Sequence, residues 1–142
     1  MFAKNEKPEI IIAGGGYFGT FLARQIDFAD NQITVIDISS ESLADLQTVF
    51  TGKTVEGDAS SVEILQLAGI DAASAVIAAT DDDHVNLMIA RIASEIYGIK
   101  SVIAIVRDAS ILIVKEDYSF SILCPALLVT QNILTALKLK EG

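Results

Sequence analysis

A single cysteine, Cys124, in 142 residues excludes an internal disulfide, and a reducing, cytoplasmic setting fits that shortage. Beside Pro125 and after an apolar stretch, it reads as a small buried hydrophobe rather than a redox group. The chain also has a single histidine, His84, which falls among acids in the first turn of an expected helix, where solvation suits it better than catalysis. No Ser/Tyr/Lys set and no metal-ligand cluster converges with it, and Cys124 has no histidine near it in sequence. Cations are scarce too: 10 Lys and Arg stand against 19 Asp and Glu, a net charge of −9. That balance argues against nucleic acid or an anionic membrane face as a partner. An anionic ligand must instead be held by local backbone dipoles. No stretch approaches the roughly 18 uninterrupted apolar residues of a membrane span, so no direct membrane insertion is expected. Residues Met1 to Pro8 are short and polar, without the apolar core of a signal peptide.

Apolar residues nevertheless make up 51% of the chain, and the mean hydropathy is +0.49, high for a soluble domain. Surplus apolar surface is therefore expected to meet another chain. The length suits a single domain spanning residues 1–142. Strands read at Glu9–Ala13, Ile33–Asp37, Lys53–Glu56, Ala75–Ala79, Val102–Val106 and Phe120–Leu123. Helices read at Phe18–Phe28, Glu41–Phe50, Ser61–Ala68, Asp83–Tyr97 and Pro125–Leu139, the third with a capping box over Ser60-Ser61-Val62-Glu63. Runs such as Ile10-Ile11-Ile12 are apolar without alternation, as in parallel strands covered on both sides. The pattern predicts an α/β, Rossmann-like, doubly wound parallel sheet of six strands with helices on both faces.

Two segments resist this scheme. Asp108 to Glu116 sits where a connecting helix is expected, yet its run Ile111-Leu112-Ile113-Val114 is rich in β-branched residues. Part of it is expected to be buried by a partner chain. In the last helix, Leu127, Leu128, Val129, Ile133 and Leu137 cover more than one face. Two readings stand: deep packing on its own sheet, or a contact between subunits.

The chemistry lies at the start. The strand Glu9–Ala13 runs into Gly14-Gly15-Gly16-Tyr17-Phe18-Gly19, a GxGxxG turn that opens a helix whose inner face is expected to carry Phe18, Leu22, Gln25, Ile26 and Ala29. The second strand ends in Asp37, 18 residues after Gly19. This is the dinucleotide-binding fingerprint. Gly14 permits the turn, Gly16 leaves the backbone open to a pyrophosphate, and Gly19 lets helix and strand pack closely. Phosphates then face free N–H groups at the positive end of the helix dipole. Asp37, followed by Ile38, is placed to accept from ribose hydroxyls.

Ligands of such sheets lie beyond the carboxyl ends of the strands. Those ends carry Gly57-Asp58-Ala59 after the third strand, Thr80-Asp81-Asp82-Asp83 after the fourth, and Arg107-Asp108 after the fifth. Asp58 is placed to accept from an adenine amino group or to cap the next helix. Thr80 is placed to donate to phosphate or ribose. Asp81 to Asp83 also suit a helix N-terminus. Arg107 either joins the rim or pairs with Asp108, and Tyr17 either covers the phosphates or is an ordinary exposed aromatic.

The whole pattern resembles the N-terminal domain of the regulator of potassium conductance family (RCK, TrkA-N or KTN). The matching text is Ile11-Ile12-Ala13-Gly14-Gly15-Gly16, Val35-Ile36-Asp37, Val55-Glu56-Gly57-Asp58-Ala59, Ala68-Gly69-Ile70 and Ala78-Ala79-Thr80-Asp81-Asp82-Asp83 with Asn86-Leu87. It continues through Val102-Ile103-Ala104 to Cys124-Pro125. The resemblance implies a cytoplasmic domain, peripheral to the inner face of the cell membrane. It implies homodimers or higher ring oligomers beneath a membrane potassium channel or transporter subunit. It also implies NAD(H), ATP, ADP or AMP as a regulatory ligand. Its nucleotide contacts, carried over by position, are Gly14, Gly15, Gly16, Tyr17, Phe18, Asp37, Thr80 and Asp81, with Asp58 and Ala59 near the adenine.

Departures qualify that ligand. Many relatives place a basic or small polar residue where Tyr17 stands, and an arginine where Ile105 stands. Fewer cations favour NAD(H), ADP or AMP over ATP, and Asp37 disfavours the 2′-phosphate of NADP(H). The resemblance also implies a C-terminal regulatory subdomain, for which these 142 residues are expected to leave no room, as in a short subunit or a piece of a longer chain. The leading expectation is a non-enzymatic regulatory subunit. An NAD-dependent oxidoreductase and a scaffold with a degenerate site are the alternatives.

Overall fold

The computed structural model describes residues 7–26, 31–113 and 117–140. Its strands are β1 (Glu9–Ala13), β2 (Gln32–Asp37), β3 (Lys53–Glu56), β4 (Ala75–Ala78), β5 (Ser101–Ile105) and β6 (Ser121–Leu123). They form one six-stranded sheet in the order β3-β2-β1-β4-β5-β6. Every neighbouring pair is parallel. The order reverses between β1 and β4, which makes their carboxyl ends the switch point of a doubly wound fold. The helices are α1 (Tyr17–Gln25), α2 (Ser40–Gln47), α3 (Val62–Leu67), α4 (Asp83–Arg91) and α5 (Pro125–Ala136). Most strand limits agree with the sequence reading to within one residue, about the latitude of any such boundary.

The continuous apolar runs are explained by two cores. Ile11, Ala13 and Ile36 pack with Leu65, Ile89 and Ala90 on the α3 and α4 side. Ile12, Ile33 and Val35 pack with Ala23, Leu43, Leu46 and Phe50 on the α1 and α2 side. Successive side chains of β1 thus enter opposite cores, so both parities must be apolar.

Several helix readings need correction. The buried residues of α1 are Gly19 and Ala23, while Phe18 is 42% exposed. Small residues one turn apart let the helix axis approach the sheet, and that rotates Phe18 outward. Ala29 and the expected end at Phe28 lie outside the described residues. Helix α2 stops at Gln47, short of Phe50, whose ring returns to the core. The capping box does not form: the cap residue is Ser61, one position later than expected and without a side-chain bond, while Ser60 is turned to Asp58, to which its hydroxyl donates at 2.7 Å.

Helix α4 passes at Arg91 into a π-helical turn, Ile92–Ile96. There the Ser94 hydroxyl donates to the Ala90 carbonyl at 2.9 Å, a bond that competes with the regular backbone ladder. The ambiguous segment after β5 is a 3-10 turn over Ala109–Ile113, with Val114 to Glu116 outside the described residues. Helix α5 ends at Ala136, and none of its residues is buried. Deep packing of α5 on its own sheet is therefore excluded. Cys124, just before it, is buried as expected.

Leu65 is fully buried between α3 and the sheet. Leu65→Ala should lower the unfolding free energy by about 2–5 kcal/mol in urea titration, with an unchanged slope.

Candidate functional site

The site begins where β1 turns into α1. Gly14 has φ +117°, and a Cβ there would strike the Ala79 carbonyl at the end of β4, with the Thr80 nitrogen 2.9 Å away. Gly19 faces the Gly14 carbonyl oxygen so closely that a Cβ would overlap it. These two positions exclude side chains for reasons internal to the fold. Gly16 is different: its backbone is extended, with φ −73°, and an added Cβ would meet nothing within 4 Å. The fold alone does not demand glycine there. A side chain would stand in the open space beside the helix end.

That end is left free. Gly16 caps α1 with no side-chain bond, and the first turn holds no acid. By contrast, Ser39 Oγ accepts from Ser42 N at 3.1 Å at the start of α2. At α4, Asp82 Oδ1 accepts from His84 N at 2.9 Å and Val85 N at 3.1 Å. The first N–H groups of α1 are therefore available to an anion.

Across from them, Asp37 is fixed at the end of β2. Its Oδ2 accepts from Gly15 N at 2.6 Å and its Oδ1 from Ser39 N at 2.7 Å. Such charge-assisted bonds hold the carboxylate rigidly, and each oxygen keeps a lone pair for a further donor. The part played by Ser39 escaped the sequence reading, although a serine two residues after a strand and just before a helix is a cap signal.

The β4 and β5 ends are joined by polar bonds. Asn86, fully buried, accepts from Thr80 N at 2.9 Å and Thr80 Oγ1 at 2.6 Å, and donates to Thr80 O at 3.0 Å and Ile105 O at 2.9 Å. Arg107 does not pair with Asp108: its Nη1 donates to Thr80 O at 3.1 Å. Asp58 Oδ1 accepts from the backbone and hydroxyl of Ser60, at 2.9 and 2.7 Å. The Ser60 hydroxyl, and then its N–H, hold the Asp58 carboxyl below its ordinary range. Asp58 thus forms a turn and does not cap α3.

Two adjoining hollows lie between these ends. One, of about 450 Å³, is lined by Gly14, Gly16, Tyr17, Phe18, Asp37, Ile38, Thr80, Asp81 and Arg107 among others. The second, of about 220 Å³, adds Ile36, Asp58, Ala59 and Val85, an apolar wall with carboxylates at its rim. Gly15 and Gly19 line neither and serve as framework. Tyr17 stands at the mouth, 90% exposed, and does not fold over the cleft. His84 is exposed on α4 and is not among the lining residues. A larger hollow of about 650 Å³ opens at the amino ends of β1 to β3 and shares no residue with the first two. It has neither the glycine turn nor a free helix end, so the carboxyl-end cleft is the candidate site.

Sheet order, glycine turn and acidic strand end together define a Rossmann-like domain with the dinucleotide-binding fingerprint. The TrkA-N domain profile matches residues 10–117, and the chain belongs to that family. It is 35% identical over 104 residues to a Trk system potassium uptake protein TrkA from Halomonas elongata, covering 73% of this chain and 23% of that relative. The chain therefore spans less than a quarter of that relative's length. Among solved structures, the TrkA-N domain of inner membrane protein ybaL from Escherichia coli superposes with TM-score 0.78 at 19% identity, covering 94% of this chain and 98% of that one. The Shewanella denitrificans Kef CTD, in AMP-bound form, superposes with TM-score 0.65 at 26% identity, covering 91% and 81%.

The contrast among the glycines can be read in solution. Gly19→Ala should cost roughly 1–3 kcal/mol of stability or more through the clash with Gly14. Gly16→Ala should stay within about 0.5 kcal/mol of the parent in denaturant titration. If the cleft takes phosphates, Gly16→Ala should still weaken nucleotide binding roughly tenfold or more. Equal stability losses in both variants would sink this division of labour.

Proposed function

We propose that the cleft binds an adenine nucleotide or dinucleotide, and that the domain is a non-enzymatic, nucleotide-sensing regulator of a potassium channel or transporter at the cytoplasmic face of the membrane. The observation that carries the nucleotide reading is the pairing of two features. Asp37 is locked by Gly15 and Ser39 as a ribose acceptor, and it faces a helix end that is uncapped and unobstructed at Gly16. The AMP-bound Kef structure supports an adenine ligand in this fold. The TrkA relative supports the potassium context.

Electrostatics set the ranking. Among the described residues that line the two hollows of the cleft, Arg107 is the one lysine or arginine, and Asp37 and Asp81 are there as well; Arg24 lines an adjoining hollow past Gly16 and Tyr17. Each added phosphate meets little compensating charge, so NAD(H), ADP and AMP are favoured over ATP. The fixed Asp37 carboxylate opposes a 2′-phosphate, so NADP(H) is disfavoured. Asp58, and Ala59 beside it, take the adenine side.

Regulation needs a ligand that binds two arrangements of an assembly unequally. The surface for assembly is α5, whose Leu127, Leu128, Val129 and Ile133 are all about half exposed. In our reading the chain forms a homodimer or higher ring through that helix, and the ring meets the membrane protein.

Isothermal titration with NAD⁺, NADH, AMP, ADP, ATP and NADP⁺ tests the ligand. Saturable binding should be weakened at least about tenfold by Asp37→Ala, with NADP⁺ weaker than NAD⁺. Titration curves identical in parent and variant would remove Asp37 from the site. For assembly, sedimentation of Leu128→Asp should show a lighter species than the parent, and unchanged sedimentation would remove α5 from the interface.

A further inference from the structure

Asp83 is the first residue of α4, and the simplest account of it is an acid at a helix N-terminus. Its contacts say more. Asp83 Oδ1 accepts from Arg107 N at 2.8 Å and Oδ2 from Asp108 N at 2.9 Å. Both oxygens of one carboxylate thus hold two consecutive N–H groups on another element, 24 and 25 residues away. The place where they do so matters. The β5 to β6 ladder ends with Val106 N donating to Leu123 O at 3.0 Å. Beyond Val106 the backbone has left the sheet, and Asp83 takes over as its anchor. From that anchored position the Arg107 guanidinium reaches the Thr80 carbonyl at the cleft.

We propose that Asp83 is a positioning residue that sets the point from which Arg107 donates to the phosphates of a nucleotide in the cleft, without itself touching the ligand. This rests on the nucleotide reading above. The Thr80 carbonyl that Arg107 now meets also accepts from Asn86 at 3.0 Å. It therefore keeps a partner when the guanidinium turns to a phosphate.

As a bare negative charge near an anion, Asp83 opposes binding, and neutralising it would tighten ADP. As a positioning residue it supports binding, and neutralising it weakens ADP. Titrating adenosine and ADP against the parent chain, Asp83→Asn, Asp83→Glu, Arg107→Gln and the Asp83→Asn/Arg107→Gln double variant separates these cases. Asp83→Asn keeps the shape but turns one acceptor into a donor facing an N–H. Asp83→Glu keeps the helix-end charge and misplaces the carboxylate.

We expect both Asp83 variants to weaken ADP roughly tenfold, the order of one charge-assisted hydrogen bond. Adenosine affinity should stay within about twofold, and the double variant should bind ADP no worse than Arg107→Gln alone. The inference is overturned if ADP is unchanged or tighter in Asp83→Asn, if Asp83→Glu behaves as the parent, or if the two losses add. If the parent chain binds neither adenosine nor ADP, the nucleotide reading itself fails, and this inference fails with it.

Discussion

The rest of the site depends on one close approach, that of α1 to the end of β1. Gly19 lies against the Gly14 carbonyl, and Gly14 lies against the Ala79 carbonyl, with no room for a Cβ at either glycine. Two backbones therefore touch where side chains would otherwise keep them apart. The consequence is directional. With α1 seated this low, its amino end points across the carboxyl ends of β1 and β4, the point where strand order reverses. The free N–H groups and the helix dipole are placed by steric exclusion rather than by attraction. Asp37 is drawn into the same unit, because Gly15 N donates to its carboxylate.

Charge follows from that geometry. A chain of net charge −9 has no global field to attract an anion, and the cleft carries acids at Asp37 and Asp81. Apart from the Arg107 guanidinium, what acts in the right sense among the described residues of the cleft is short-range dipoles, and they are effective only where water is partly displaced. Among the three longer helices that edge the cleft, α1 is the one with neither a side-chain cap nor an acid in its first turn. Ser39 and Asp82 cap α2 and α4, and Glu41 and Asp83 add charge there. A cap on α1 would occupy the donors that an anionic ligand needs.

The sheet and the glycine turn were legible because each is written in adjacent residues. Ile10-Ile11-Ile12 can be apolar throughout only if both faces are covered, and GxGxxG before a helix has few alternative uses. What was not legible depended on competition between distant or equivalent partners. Ser60 was available to cap α3, but Asp58, two residues earlier, accepts both its N–H and its hydroxyl. Phe18 has the right spacing for the inner face of α1, yet Gly19 and Ala23 fix the helix so close to the sheet that a ring does not fit beneath it. Arg107 and Asp108 are neighbours in sequence. The carboxylate that matters to both is Asp83, which no local pattern links to β5. Asn86 was visible as part of a motif, but its four bonds to Thr80 and Ile105 were not. A short polar side chain satisfies so many partners only in the folded chain.

The two halves of the cleft are consequently held by different kinds of force. At the glycine turn, position is enforced by a backbone approach that leaves no room for a Cβ at Gly14 or Gly19, and Asp37 beside it is held by Gly15 N and Ser39 N. On the β4 and β5 side, position rests on hydrogen bonds. Those of Asn86 are buried and costly to leave unmade, while those of Asp83 and Arg107 are exposed and exchange with water at small cost. A ligand spanning the cleft therefore meets one rigid wall and one adjustable wall. Rearrangement has least to overcome beyond Val106, where the chain leaves the sheet and is tied to the rim by the Asp83 carboxylate, the Arg107 guanidinium and the long Cys124 Sγ bond to the Arg107 carbonyl. The same stretch leads through the 3-10 turn to β6 and then to α5, the helix that the domain itself leaves uncovered. If occupancy of the cleft is felt elsewhere in an assembly, the path of least resistance starts at Arg107 and not at the glycine turn. On the proposed function, the residues that would define the ligand and those that would respond to it are then separable along the chain.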